Sequence, residues 1–520
     1  MNILFLAFES DEAQLLARLA QRFKGRGHAV HIASTDHFSV THTRGEVFDC
    51  YRKAGLEEGR EFSHLGEFYA ALNRVPEDLP EEGVDWQYLR AFEAKYCRRF
   101  TLLDLASWDP IISGAFHHRK IYYRPKNKFI FFKFIEMMLK VVEGLFDTHR
   151  FDAVITLNFQ YFMKAAAFTI ADAKGIPFLS VSPCRISDLL VIFDNYSHGT
   201  PRYMVEEMER LKAAGDECAE AAKYIAWLKA ERRPAYTEFE HTMVGLAQQT
   251  SIRNRLRHLF WFTTRYPKSV LLINKHYRGR FRRDYFLPSY FTLLKEEILG
   301  LMRRIGYFRR KELMVRDLPR GPFVFFPLHQ IPENSVLTLS RTINELECLF
   351  QFSKALPLGW KIAVKINPAM LTTFDTHPNR YYLEMSRLPN VQFLDPRIRS
   401  GDIIGHASAV AAISGTALLE GAIFGKPGFR WGRTEFEVVD TIHEFDPKCV
   451  RAQLEKTESG NLKYYIQACF NLGVRLDVRL LGRSLAKTLT AEQEAECLRQ
   501  LDALEARIVA FLDGRRSKPT

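Results

Sequence analysis

The 520-residue sequence predicts an α/β protein with two Rossmann-like domains that face a central cleft. Two series of short apolar runs, each alternating with amphipathic helical segments, carry this prediction. The first series occupies the first 200 residues, and the second begins at Pro322. A strand, helix, strand crossover makes the two strands parallel, and ligands of such sheets bind beyond the carboxyl ends of the strands.

In the first series, the apolar runs and helical patterns predict, in order, a strand over 2–8, a helix over 11–24, a strand over 29–33, a helix over 129–146, a strand over 152–157, a helix over 161–173 and a strand over 176–181. Residues 50–125 follow a less regular pattern. We therefore predict one Rossmann-like domain over residues 1–250.

The second series predicts a strand over 323–328, a helix over 334–355, a strand over 361–366, a helix over 379–387 and strands over 391–394 and 409–413. It defines a second domain over residues 321–489. Residues 490–520 form a last amphipathic helix and a tail, and this helix could pack on either domain.

Positive charge is concentrated in residues 251–320, which we interpret as a connector. This segment holds eighteen Lys and Arg against five Asp and Glu, a net charge of +13, whereas the whole chain carries +12. Aromatic residues are interleaved with the cations. The segment could be a connector whose aromatic rings pack inward and whose arginines are solvated. Alternatively, it could form a surface that binds an anionic membrane or glycan. We do not expect a nucleic acid as the partner.

Composition excludes several classes of protein. Hydrophobic residues make up 47% and charged residues 26%, which argues against a disordered or fibrous chain. No stretch reaches the roughly 18 uncharged apolar residues of a membrane span. The start of the chain has no cationic region before its apolar run, so we interpret it as a strand and not as a signal peptide. The eight scattered cysteines fit a reducing compartment, and we expect a cytoplasmic protein that could lie against the inner membrane.

The most informative segment covers residues 413–427, where an apolar strand is followed by Ser414, Gly415 and Thr416 and then by helix-forming residues. Backbone N–H groups and two hydroxyls then converge at a helix N-terminus, which is a site for an anion. Glu420, one turn into the helix, could accept hydrogen bonds from ribose hydroxyls. A plain Ser or Thr helix cap, completed by the glutamate, remains an alternative.

The second domain resembles the nucleotide-sugar half of GT-B glycosyltransferases, and more narrowly the bacterial capsule polysaccharide biosynthesis family, which includes retaining β-Kdo transferases. The resemblance covers residues 321–435 and rests on the segment over 413–427, the Pro-Leu-His turn over 327–329 and the Lys-Ile-Asn-Pro segment over 365–368. In this family, a Lys-x-His-Pro segment holds the donor phosphate. Asn367 occupies the histidine position here and supplies a hydrogen bond but no positive charge.

The resemblance implies a site that uses residues from both domains. Lys365, Asn367 and the turn at 414–416 would hold the donor phosphate, and Glu420 would hold the ribose. His329 would act as a general base or donate to a phosphate. The alternatives are that Lys365 is an ordinary solvated lysine and that His329 only forms hydrogen bonds with the backbone.

In the first domain, Asp188 and Asp194 follow apolar runs, where cleft residues are expected. By likeness to the family, Asp194 would be the catalytic carboxylate, either as a nucleophile or as a base for the acceptor hydroxyl. Asp188 is the second choice, and a turn-forming aspartate is the alternative for both.

Other catalytic motifs are missing from the sequence. There is no Walker A pattern, no G-x-G-x-x-G fingerprint, no G-x-S-x-G elbow and no Cys/His spacing for zinc. We expect a glycosyltransferase that needs neither cofactor nor metal and that moves a sugar from a nucleotide-activated donor, CMP-Kdo-like or another, to a surface polysaccharide or lipid-linked glycan. A nucleotide-sugar 2-epimerase and a non-catalytic envelope polysaccharide assembly protein are the alternatives.

Overall fold

The computed structural model describes residues 1–7, 10–34, 44–65, 71, 74–109, 127–158, 161–194, 199–232, 260, 263–264, 290–330, 334–367, 370, 378–477 and 489–516. Most of the predicted connector, including residues 265–289, lies outside these ranges. Among the described residues, no helix is both long enough and apolar enough to cross a membrane.

The elements of the first half are β1 (Asn2–Ala7), α1 (Ser10–Gly25), β2 (Ala29–Ser34), α2 (Arg44–Lys53), β3 (Phe62–His64), a 3₁₀ turn (Glu81–Gly83), α3 (Trp86–Tyr96), α4 (Leu102–Ser107), α5 (Lys128–Thr148), β4 (Ala153–Leu157), α6 (Phe162–Ala173), β5 (Phe178–Pro183), β6 (Leu189–Phe193), α7 (Arg202–Ala213) and α8 (Ala219–Glu231).

The elements of the second half are α9 (Tyr290–Phe308), a 3₁₀ turn (Lys311–Leu313), β7 (Phe323–Pro327), α10 (Asn334–Leu339), α11 (Glu345–Ala355), β8 (Lys361–Lys365), α12 (Asn379–Ser386), β9 (Val391–Phe393), α13 (Ser400–His406), β10 (Ala409–Ala412), α14 (Ala417–Ile423), β11 (Gly428–Arg430), β12 (Ile442–Glu444), α15 (Val450–Gln453), α16 (Leu462–Leu472), β13 (Val474–Arg475) and α17 (Ala491–Arg516).

The first sheet has the strand order β13-β6-β5-β4-β1-β2-β3. Adjacent strands among β1 to β5 are parallel, whereas β6 runs antiparallel to β5 and β13 runs antiparallel to β6. The chain builds outward from β1 to β3 and then continues on the other side with β4. The strand order therefore reverses between β1 and β4, which is where ligands of open α/β sheets bind.

The second sheet has the order β12-β11-β10-β7-β8-β9, and its paired strands are parallel. Here the chain builds from β7 to β9 and then returns to the other side of β7 with β10. The order reverses between β7 and β10. The predicted α/β class with two mainly parallel sheets is confirmed, and we call each sheet with its packed helices a lobe.

The C-terminal part of the chain returns to the first lobe. Strand β13 lies within the predicted second domain, yet it pairs with β6 of the first sheet. Helix α17 packs its apolar side into the core of the first lobe, through Leu501, Leu504 and Ile508 among others. The sequence left the position of this helix open, and the structure assigns it to the first lobe.

One apolar cluster spans both lobes, beside the separate core of each. The largest buried cluster contains residues of α5 and α6, residues of the second sheet, and the helices α7, α8 and α16 between them. The β5–β6 turn follows the carboxyl end of β5, and its Arg185 Nε lies 3.3 Å from Glu435 Oε1 in the loop that follows β11. The Glu435 carbonyl also accepts a 2.7 Å hydrogen bond from Thr200 Oγ1. The carboxyl edges of the two sheets therefore meet at this point.

Candidate functional site

The candidate site lies where the strand order of the second sheet reverses. His329 follows β7, and Ser414 and Gly415 follow β10, so adjacent parallel strands bring these two loops together. The backbone N–H of Ser414 donates to His329 Nε2 over 3.5 Å. On the other side of the ring, His329 Nδ1 lies 3.2 Å from Glu345 Oε1. That carboxylate oxygen also accepts from the His329 backbone N–H.

This geometry assigns the proton on the histidine ring. A backbone N–H can only donate, so Nε2 of His329 accepts and Nδ1 carries the hydrogen that points to Glu345. His329 is 7% exposed and Glu345 is 1% exposed. The buried carboxylate therefore orients the ring, and it provides a counter-charge if Nε2 also takes up a proton.

Glycine at position 415 allows the turn to approach the ring. A Cβ at this position would lie 3.3 Å from His329 Nε2 and 3.5 Å from the Cβ of Ala412. Any larger side chain would push against the imidazole or the strand. The close contact between the two loops thus depends on this residue.

Thr416 precedes the first residue of α14, and its side chain makes no capping hydrogen bond. The alternative of a plain threonine cap is therefore not what the structure contains. Its carbonyl accepts from Glu420 N–H at 3.1 Å, and both Thr416 and Gly415 are partly exposed. A hydroxyl at the start of a helix that is not used for capping can donate to a bound anion.

Lys365 ends β8 and is buried, with 4% of its surface exposed. Its Nζ donates to the Ile398 carbonyl at 2.6 Å and to Ser400 Oγ at 3.0 Å. Burial lowers the pKa of Lys365 to about 8, against a partial opposing effect of the charges of Glu420 and Asp395. Lys365 is thus not the solvated lysine of the alternative interpretation; it ties the loop before α13 to the end of β8.

Glu420 is also buried and lies close enough to Lys365 and to Tyr224 of α8 for its charge to act on both. Burial, together with this charge, raises the pKa of Tyr224. The Tyr224 hydroxyl accepts a 3.3 Å hydrogen bond from the backbone N–H of Ser187 in the β5–β6 turn. These contacts connect the α14 end of the site to the first lobe.

The two aspartates of the first lobe lie at opposite edges of its sheet. Asp188 is exposed, follows Ser187 and lies in the turn after β5, at the carboxyl edge. Asp194 follows β6, whose last residue, Phe193, pairs with Ser180 near the start of β5. The five residues of β6 that lie between the two positions span about 17 Å at ~3.4 Å per residue. Because β6 runs antiparallel to β5, Asp194 follows the opposite end of β6 from Asp188.

The last predicted phosphate ligand, Asn367, lies two residues past β8 and is partly exposed. Its carbonyl accepts from the backbone N–H of Met370 at 2.9 Å. The described residues contain no group of three or more His, Cys, Asp or Glu side chains arranged to hold a metal ion.

A buried ion pair at the reversal point of the first sheet was not predicted. Lys164 of α6 is fully buried and donates to Glu12 Oε1 at 2.6 Å, to Asn158 Oδ1 at 2.9 Å and to the Leu157 carbonyl at 2.8 Å. The sequence contains a sign of this ion pair, because Lys164 is the only charged residue among the first ten of α6. Glu345 was missed because a glutamate in the first turn of a helix is typical of capping.

The depressed pKa of Lys365 makes a pH dependence testable. Between about pH 8 and the ordinary lysine value of 10.5, the folded chain has released this proton and the unfolded chain still holds it. Stability therefore rises with pH across this window, by at most about 1.4 kcal/mol per pH unit, relative to a variant without the group. We expect the melting temperature of the unsubstituted protein to rise relative to that of Lys365→Met from pH 8 to pH 10.

Lys361→Met, at the exposed start of the same strand, is the control for loss of a lysine. A difference between Lys365→Met and the unsubstituted protein that stays constant from pH 7 to pH 10 would contradict the assignment.

No family model matches the chain, and no curated protein matches it. Similar solved structures include KpsC, a beta Kdo 2,7 transferase from Thermosulfurimonas dismutans, with 12% identity and a TM-score of 0.34 over 64% of this chain and 80% of that chain. UDP-GlcNAc 2-epimerase from Neisseria meningitidis bound to UDP-GlcNAc has 9% identity and a TM-score of 0.22 over 91% and 98%. The glycosyltransferase SsfS6 from Streptomyces sp. SF2575 has 13% identity and a TM-score of 0.22 over 92% and 99%.

Proposed function

We propose that this chain is a glycosyltransferase that holds the phosphate of a nucleotide-activated sugar at the junction of His329, Ser414 and Gly415. The observation that carries the proposal is the position of this junction at the reversal point of a parallel sheet, where such folds bind nucleotides. The resemblance of residues 321–435 to the donor half of capsule polysaccharide glycosyltransferases supports the choice of a nucleotide sugar.

The arriving phosphate would change the contact between His329 and Ser414. A proton on Nε2 removes the acceptor of the Ser414 N–H, so both groups can then donate to one phosphate oxygen. The Glu345 carboxylate balances the charge of the doubly protonated ring. The N–H of Gly415 and the hydroxyl of Thr416 supply further donors, and together these groups stabilise the negative charge that develops as the nucleotide leaves.

Lys365 and Glu420 are buried and act on this site through their charges. Because the Lys365 Nζ donates to the Ile398 carbonyl and Ser400 Oγ, it favours the bound anion through its charge and does not need a direct contact. Glu420 lies on the α14 side of the junction, close to Tyr224. Its carboxylate would accept hydrogen bonds from the ribose hydroxyls of the donor.

The proposed base for the acceptor hydroxyl is Asp188. It lies in the β5–β6 turn, next to Ser187, whose N–H contacts Tyr224. The neighbouring Arg185 contacts Glu435 of the second lobe. Asp188 thus combines exposure with a position at the edge that meets the donor lobe, whereas Asp194 follows a strand that ends at the opposite edge.

Nucleotide binding can be tested by thermal shift with CMP, UDP and GDP. A nucleotide at 100 times its Kd stabilises the folded chain by about 2.7 kcal/mol. We expect one of the three to raise the melting temperature and Thr416→Val to weaken its binding about tenfold, because a hydrogen bond to a charged phosphate is lost.

Thr457→Val is the matched control, since the Thr457 carbonyl lies near Gly425 at the other end of α14. Unchanged binding by Thr416→Val, or equal losses in the two variants, would rule out the junction as the phosphate site.

The roles of the two aspartates can be separated by turnover. A general base contributes about 10²–10⁴-fold to a rate. We expect Asp188→Asn to lower sugar transfer at least about 100-fold and Asp194→Asn to retain most of it. A larger loss of sugar transfer in Asp194→Asn than in Asp188→Asn would assign the catalytic role to Asp194.

The same assay distinguishes the alternative functions. Release of an isomerised free nucleotide sugar without an acceptor indicates a 2-epimerase. Nucleotide binding with neither transfer nor isomerisation for any donor indicates a non-catalytic assembly protein.

A further inference from the structure

Helix α9 has an apolar stripe on its exposed side. Ile298, Met302 and Ile305 are 45%, 63% and 39% exposed, and they fall on one line along the helix at i, i+4 and i+7. Apolar side chains on the outside of a soluble protein are normally scattered singly. Three in one row form a continuous apolar ridge.

The opposite side of the same helix is packed against the second lobe. Gly300, Arg304 and Tyr307 are buried there, and Tyr307 contacts the ring of Tyr382 in α12. The helix is therefore fixed in orientation, and the ridge is its outward side.

Cations lie at both ends of this ridge. Exposed Lys295 precedes Ile298 by three positions, and exposed Arg309 follows Ile305 by four, so both share the outward side. Exposed Lys311 extends the positive end, whereas the guanidinium of exposed Arg310 lies 3.8 Å from the carboxylate of Glu312.

We propose that the outward side of α9 binds an anionic lipid bilayer. A row of apolar side chains bordered by long cationic ones is the pattern of a helix that lies in the plane of the interface, because the apolar row enters the acyl boundary while the cations reach the headgroups. The proposal commits to a membrane and not to a protein partner because cations border the ridge at both ends.

The charge of the neighbouring sequence favours the same partner. Residues 251–289, which precede the helix, contain ten Lys and Arg and one Asp. Each cation near a negative leaflet adds to the attraction, which weakens as salt shortens the range of electrostatic forces. The proposal does not depend on the function proposed for the junction at His329.

The test is cosedimentation of the full chain with vesicles of phosphatidylcholine alone or with about 30 mol% phosphatidylglycerol. We expect binding to the anionic vesicles only, and weaker binding as salt rises from about 0.1 M to about 1 M. The triple variant Ile298→Ser, Met302→Ser, Ile305→Ser should bind at least about tenfold more weakly. Lys295→Gln with Arg309→Gln should also weaken binding and reduce its salt dependence.

The control is Phe350→Ser with Leu358→Ser, which removes two exposed apolar side chains elsewhere on the second lobe. Binding by this control equal to that of the unsubstituted chain, with loss in both helix variants, supports the proposal. Equal binding to neutral vesicles, full binding by the triple variant, or a dimer in light scattering that the triple variant dissociates would overturn it. The last result would assign the ridge to a second copy of the chain.

Discussion

The reversal of strand order between β7 and β10 is the constraint on which the candidate site depends. It makes two strands neighbours that are far apart in sequence, and it brings the loops after them together at one edge. His329 and Ser414, 85 residues apart, then share a hydrogen bond. The small size of Gly415 lets the loops approach, and Glu345 fixes the ring from the other side. Each element of the site thus follows from one topological feature.

Local patterns in the sequence predicted the strands and helices well. The buried apolar runs became β1, β2, β4, β7 and β8 within about two residues of their expected ends, because a strand covered on both faces must be apolar throughout. The expected helix over 334–355 is two helices, α10 and α11, with Ser340 to Asn344 between them. Such breaks depend on side-chain hydrogen bonds, here from Thr342 N–H to Ser340 Oγ, that periodicity does not contain.

The parts that sequence reasoning missed depend on contacts between distant residues. The direction of β6 was missed although the five residues between β5 and β6 are too few for a parallel crossover, and this direction places Asp194 at the other end of β6 from Asp188. Strand β13 has two residues and joins the first sheet from the far end of the chain. The partners of Lys365 and Lys164 are likewise set by tertiary packing, which turns surface-like residue types into buried, hydrogen-bonded ones. Lys164, the one charge among the first ten residues of α6, was a local sign of such a contact.

The most direct test of the account is a crystal structure of the chain with the nucleotide that gives the largest thermal shift. We expect a phosphate within hydrogen-bond distance of His329 Nε2 and of the backbone N–H groups of Ser414 and Gly415. The contact between Ser414 N–H and the histidine should then be replaced by contacts to the phosphate. A nucleotide bound elsewhere, with the His329 to Ser414 hydrogen bond intact, would contradict the central claim.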